Sequence, residues 1–216
     1  MHIPDGIIPV TTAVSGYAAA GGITWLSLRG VRKQYENPRN AVPRAALLAA
    51  AFFVASLIHI PIPPVSVHLV LSGLIGVMLG WFAFPVILVG LLLQAVMFQH
   101  GGLTTLGLNA CIIGLPALLA SLIFRLRIFF GRDKLLPNAV FAFLGAFTAI
   151  VISILMLSIL LIYTIPGYMD PAAERTAVMV LSAAYMPVAL IEGIFTAMVV
   201  IFLLRVQPAL LENEGR

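Results

Sequence analysis

Apolar residues in this chain come in runs of about 18 or more, the length a helix needs to cross roughly 30 Å of hydrocarbon. A membrane-spanning barrel would instead show short segments of alternating polarity. Composition agrees with the helical choice: 62% of the 216 residues are hydrophobic and 9% are charged, against about a quarter charged in a soluble domain. The expectation is an all-α integral membrane protein, with residues 1–216 forming a single transmembrane domain. The one cysteine, Cys111, sits inside an apolar run, which excludes a disulfide framework and a Cys-rich metal site.

Seven spans are predicted, at about 8–29, 43–60, 67–82, 84–100, 105–125, 137–163 and 176–205. The third and fourth are short and separated only by WFAFP, so a tight helical hairpin is an open alternative there. Punctuation falls between spans, as ENPRN, PIPP, QHGG, GRDK and IPGYMDP. Orientation follows from the cations. Every one of the twelve Lys and Arg residues except Arg175 falls on one side of this arrangement, around 29–44, in 125–134 and after the last span. The positive-inside rule makes that side cytoplasmic, which places the C-terminus inside and Met1 outside. The net charge of +4 is therefore a topology signal and no pointer to nucleic acid.

With that topology all four histidines, His2, His59, His68 and His100, lie at the external face. A lone histidine at a membrane interface serves commonly as a polar anchor, and that reading suffices for His59 and His100. His2 has a chemical alternative. The Met1 amine has an ordinary pKa near 7.7 and supplies some neutral nitrogen at physiological pH. That amine, the His2 backbone nitrogen and the His2 imidazole can close two fused rings on one ion once the amide deprotonates. Ni(II) and Cu(II) favour such square-planar nitrogen sites. Pro4 offers no amide proton, so the set from the terminus stops at three. Histidine is too bulky at position 2 for efficient methionine removal. The absence of Lys and Arg before Arg29 also argues against a cleaved signal peptide. His68 follows a stiff proline-rich loop, PIPPVSVHLVLSG, and is the candidate fourth donor.

These residues also carry a resemblance. MHIPDG, PxxVHLxLSGxxGxxLG around His68, LLLQAVMFQHGGLTTLGLNA from Leu91 and MPVALIEGIFTA from Met186 together resemble the substrate-capturing membrane subunit of energy-coupling-factor cobalt/nickel importers. The resemblance spans most of the chain. It implies a six-helix S-component core preceded by one extra N-terminal helix, and a metal held by Met1, His2 and His68. FQHGGLTTLG is more similar to the nickel branch, with Co²⁺ as the alternative ion; no ligand role is carried onto His100. The implied partners are a transmembrane scaffold subunit, two ATP-binding cassette ATPase subunits and a small accessory membrane subunit, in a prokaryotic cell membrane. In the family, a small-residue face on the helix starting near 43 docks to the scaffold.

Other polar residues at membrane depth have two readings each. Glu192 is an ionisable group in hydrocarbon, a functional-site hypothesis by default, or else an interhelical hydrogen-bond partner. Gln94, Gln99, Thr104 and Asn109 lie toward the external ends of their spans. They and His100 could orient the ligating imidazoles from outside the metal's own shell, or hold helices together. Ala45 with Ala49, Ala46 with Ala50, and Gly76 with Gly80 stand four apart, a spacing that lets another helix approach closely.

The chain has no phosphate-binding G-x-x-x-x-G-K-[ST] loop, so ATP hydrolysis by that route belongs to other subunits, and it has no H-E-x-x-H. No catalytic cofactor is expected. The reading is a non-enzymatic subunit that captures Ni²⁺ or Co²⁺ externally. A stand-alone divalent permease and a membrane metalloenzyme are the alternatives. The first would carry more ionisable residues at the midplane, and the second needs an open coordination position.

Overall fold

Apolar segments in lipid satisfy their backbone internally, and the computed structural model is accordingly mostly helical. It describes residues 2–62, 65–164 and 170–212, with the backbone alone at 59, 62, 65, 66 and 212. Met1 and the His59 side chain therefore lie outside the described residues. The element order is α1 (Val10–Gln34), a 3₁₀ turn (Pro38–Ala41), α2 (Val42–Ala55), β1 (His59–Ile62), β2 (Val65–His68), α3 (Ser72–Leu79), a second 3₁₀ turn (Gly80–Phe82), α4 (Ala83–Phe98), α5 (Leu106–Arg125), α6 (Ile128–Gly131), α7 (Leu135–Tyr163), α8 (Pro171–Val206) and α9 (Ala209–Glu212). Asp170 starts α8, its carboxylate accepting from the Ala172 N–H at 3.0 Å, with Pro171 at the first helical position.

Four stretches of the described residues are long and apolar enough to cross a membrane: Ser72–Phe98, Leu106–Gly131, Leu135–Tyr163 and Pro171–Val206. The first is no single helix. A straight helix of 27 residues would separate its ends by about 40 Å at 1.5 Å per residue. Yet the rings of His68 and His100, which flank it, have centroids 5.2 Å apart. The chain reverses at Gly80, whose φ of 58° is left-handed, so the hairpin alternative is the one realised. Gly80 is needed there twice over, because a Cβ would fall 2.5 Å from Gln34 Oε1.

The all-α expectation requires one correction. His59–Ile62 and Val65–His68 pair as an antiparallel hairpin, with His59 opposite His68. The expected spans 43–60 and 67–82 thus lose their facing ends to strand, and helix resumes only at Ser72. Prolines at 61, 63 and 64 cannot continue a helix, and the β-branched Ile60, Ile62, Val65 and Val67 around them suit extended backbone.

Helix α5 lies at the centre, packed by α1, α3, α4 and α7. Close approach depends on small residues. A Cβ on Gly76 would sit 2.0 Å from the Ala117 carbonyl oxygen, and one on Gly73 would sit 2.3 Å from Ala146 Cα. All eight residues of α3 are buried. Gly76 and Gly80 therefore do not form one contact face: the first receives α5 and the second makes the turn. The alanine stripe also divides. Ala45 is buried in the core and Ala49 half-buried, whereas Ala46 and Ala50 are exposed.

The end of the molecule remote from the histidines collects cations. The Arg44 guanidinium donates to the Leu210 carbonyl at 2.7 Å and to Tyr35 Oη at 3.0 Å. Arg127, only 2% exposed, donates to the Leu211 carbonyl at 2.9 Å. Arg29 lies over the Trp25 ring at 3.5 Å.

Candidate metal centre

The N-terminal residues are docked from the third residue onward. Asn109, on the first turn of α5, pairs with Ile3 as a neighbouring strand would: the Ile3 N–H donates to Oδ1 at 2.9 Å and Nδ2 donates to the Ile3 carbonyl at 3.1 Å. The Thr105 hydroxyl adds a second donor to that carbonyl at 2.6 Å. Ile3 itself is 1% exposed. Two residues on, the Asp5 carboxylate accepts from the backbone N–H groups of Leu103 (3.1 Å) and Thr104 (2.9 Å) and from the Thr104 hydroxyl. The Thr104 hydroxyl, with help from those amides, holds the Asp5 carboxyl below its ordinary range. Gly102 makes the approach possible, since a Cβ there would lie 2.1 Å from Asp5 Oδ1.

This anchoring places His2 against His68 and His100. Nitrogen atoms of the three imidazoles all lie within 4.8 Å of one another. Ring centroids are 5.1 Å apart for His2 and His68, 4.3 Å for His2 and His100, and 5.2 Å for His68 and His100. Both His2 ring nitrogens are buried, and among the described residues neither has a hydrogen-bond partner. Orphaned buried polar atoms cost about 1–3 kcal/mol each, so native structures rarely keep them without a use. Burial, reinforced by the neighbouring His68 and His100, holds the His2 imidazole well below its ordinary pKa and keeps it a neutral donor.

His68 is 2% exposed. Its Nδ1 lies 2.9 Å from the Leu69 carbonyl; a carbonyl only accepts, so Nδ1 carries the proton and Nε2 is left with the lone pair a metal requires. Glu192 fixes the backbone just beyond. Its carboxylate accepts from the Val70 N–H and, at 2.9 Å, from the Leu71 N–H. Leu71 has a φ of 56°, an unfavourable value for a leucine, and this clamp holds it there.

The structure thus gathers some of the sequence-derived candidates and separates others. His2, His68 and His100 converge, while Met1 lies outside the described residues. Gln94 is buried beside His2 and donates from Nε2 to Ser56 Oγ at 2.8 Å. Glu192 acts on backbone two and three residues past His68. Thr104 and Asn109 hydrogen-bond to the N-terminal segment, and the Gln99 side chain is exposed. Thr104 and Asn109 thus seat the segment that carries His2, and Gln99 contributes backbone. Sequence reasoning missed Asp5 and Thr105. The signal for Asp5 was available, as the one charged side chain before Arg29.

Comparison with known proteins follows the same line. A family model described as the cobalt uptake substrate-specific transmembrane region, CbiM, matches residues 2–210. A Haemophilus influenzae relative named for metal transport is 42% identical over 59% of this chain and 59% of its own length. A Methanocorpusculum labreanum relative named for cobalt transport is 31% identical over 100% of this chain and 94% of its own. A fused nickel transport protein NikMN of Rhodobacter capsulatus is 39% identical over 53% of this chain, which matches 34% of that longer protein. A crystal structure described as a truncated transition metal transporter superposes with a TM-score of 0.73 at 24% identity, covering 95% of this chain and 99% of the other, which shows a shared fold.

Proposed function

Because the chain belongs to the CbiM family of cobalt uptake substrate-specific transmembrane regions, we propose that it captures Ni²⁺, or alternatively Co²⁺, at the external face of a prokaryotic cell membrane. In this reading it is the substrate-specific subunit of an energy-coupling-factor importer and catalyses no reaction itself. The observation that carries it is the convergence of His2, His68 and His100, with both buried His2 ring nitrogens lacking a hydrogen-bond partner among the described residues. The donor set is the Met1 amine, the His2 amide nitrogen, the His2 imidazole and His68 Nε2. Nitrogen donors of this kind suit late first-row divalent ions, and selectivity rests on geometry more than on raw affinity. The similarity of FQHGGLTTLG to the nickel branch favours Ni²⁺.

Seven crossings, with Met1 outside, would bring the histidine end to the side from which metal arrives. The Arg44, Arg127 and Arg29 end would then lie in the cytoplasm, in keeping with the positive-inside rule. A tightly held ion leaves only if another conformation binds it less well. That change is assigned to partners: a transmembrane scaffold, two ATPase subunits and a small accessory membrane subunit. The exposed Ala46 and Ala50 form the part of the alanine stripe open to a docking helix.

The test is metal content. Protein with Met1 as its free terminus is expected to retain one Ni²⁺ or Co²⁺ per chain through dialysis in detergent, and failure to retain either ion would overturn the reading. A second expectation concerns Glu192→Gln. An amide presents a single acceptor to two N–H donors, so Leu71 should relax and His68 shift. Calorimetry should show affinity lowered about 10–100-fold, the range typical for groups that orient ligands; unchanged affinity would confine Glu192 to helix packing.

A further inference from the structure

The four-nitrogen set leaves His100 unused, although it stands as close to the other imidazoles as they stand to each other. Imidazoles on one ion place their ring centres about 3.2 Å from it, a bond of about 2.1 Å plus about 1.1 Å from nitrogen to ring centre. At bond angles of about 90–110°, two such rings have centres about 4.5–5.2 Å apart. Two of the observed separations, 5.1 and 5.2 Å, fall in that range, and the third, 4.3 Å between His2 and His100, lies just below it. A ring placed only to support the site from outside would have no reason to match it.

The orientation adds to the distances. The His2 and His68 rings are inclined by only 21° to each other, whereas His100 crosses them at 65° and 73°. The backbone is built to bring it there. Helix α4 ends at Phe98 and is capped by Gln99, one of two described non-glycine residues with a positive φ, at 52°. The His100 N–H then bonds back to the Gln94 carbonyl at 3.2 Å. Gly101 continues the turn at φ 84°, a backbone that favours glycine, and its Cα packs beside His2 and Asn109: an added Cβ would stand 3.3 Å from Asn109 Nδ2 and 3.5 Å from His2 Cβ. A left-handed glutamine is costly, and such strain persists where the surroundings enforce it.

We propose that His100 is a fifth, apical donor to the captured ion, and that it sets the balance between Co²⁺ and Ni²⁺. The proposal rests on the metal-capture reading above. Four nitrogens in a plane favour low-spin Ni²⁺. An apical imidazole raises the coordination number to five, makes the Ni²⁺ complex paramagnetic and improves the site for Co²⁺.

The experiment compares wild type, His100→Ala, His100→Gln and His68→Ala as full-length protein with a free Met1, loaded with Ni²⁺ or Co²⁺. Wild-type Ni²⁺ protein should be paramagnetic, and both His100 variants should give a yellow diamagnetic complex. Their Co²⁺ affinity should fall about 100-fold and their Ni²⁺ affinity by less than about tenfold, two and one decades on the usual free-energy scale. A diamagnetic wild-type Ni²⁺ complex would overturn the proposal without recourse to any variant. So would His100 variants with wild-type spectra and affinities. In either case binding that is lost in His68→Ala leaves the metal-capture reading standing, whereas a wild-type protein that binds neither ion ends both.

Discussion

Extending the chain by ten residues ahead of Met1 is expected to lower Ni²⁺ affinity about 1,000-fold, equivalent to about 4 kcal/mol, while leaving the protein folded. In the proposed donor set, the extension converts the Met1 amine to an amide and removes it as a donor, which also breaks the fused rings that favour deprotonation of the His2 amide. It leaves the imidazoles in place, because the terminus is held from Ile3 onward by Asn109 and Thr105. What remains is a three-imidazole site of ordinary strength. Calorimetry on extended and unextended protein decides the matter. Equal affinities would remove the terminal amine from the ligand set and assign capture to the imidazoles alone. A practical corollary is that an N-terminal purification tag would conceal the activity.

Asn109→Asp is expected to be nearly as damaging, by a route that touches no donor atom. Asn109 is buried at 2% exposure and uses both ends of its amide on Ile3. Aspartate keeps the acceptor for the Ile3 N–H but sets a second oxygen against the Ile3 carbonyl. A buried charge left uncompensated costs about 3–5 kcal/mol, which the chain can escape by releasing its N-terminal segment. Metal affinity should therefore fall about 100-fold, or about 2.7 kcal/mol. The Ile3 amide should lose its protection in hydrogen exchange, while amides in the middle of α5 keep theirs. Asn109→Ala is the milder control, since it removes both bonds without adding charge. Wild-type affinity in Asn109→Asp would show that the segment finds its place without the Ile3 pairing.

Much of the helical framework was legible because hydrocarbon imposes a single rule on backbone groups. The expected span 105–125 became Leu106–Arg125, and 137–163 became Leu135–Tyr163, to within two residues. Legibility failed between 56 and 71, where proline and β-branched residues gave the chain a strand hairpin that hydropathy alone reads as more helix. It failed again at the alanines. A spacing of four says that Ala45 with Ala49, and Ala46 with Ala50, share helix faces, but not which pair faces inward.

The candidate metal centre divides along the same boundary. The sequence by itself determined a helical membrane protein and marked out His2 and His68 as metal-binding candidates, since length, hydropathy and chelate ring size are local properties. Only the tertiary structure decided that His100 joins them, that Asp5 and Asn109 seat the terminus, and that Glu192 reaches across to hold Val70 and Leu71. Each of those contacts joins residues about a hundred positions apart in the chain or depends on a left-handed turn at Gln99 or Leu71. Such contacts arise when packed helices enforce a backbone that the residue itself disfavours, and no local pattern of residues records that enforcement.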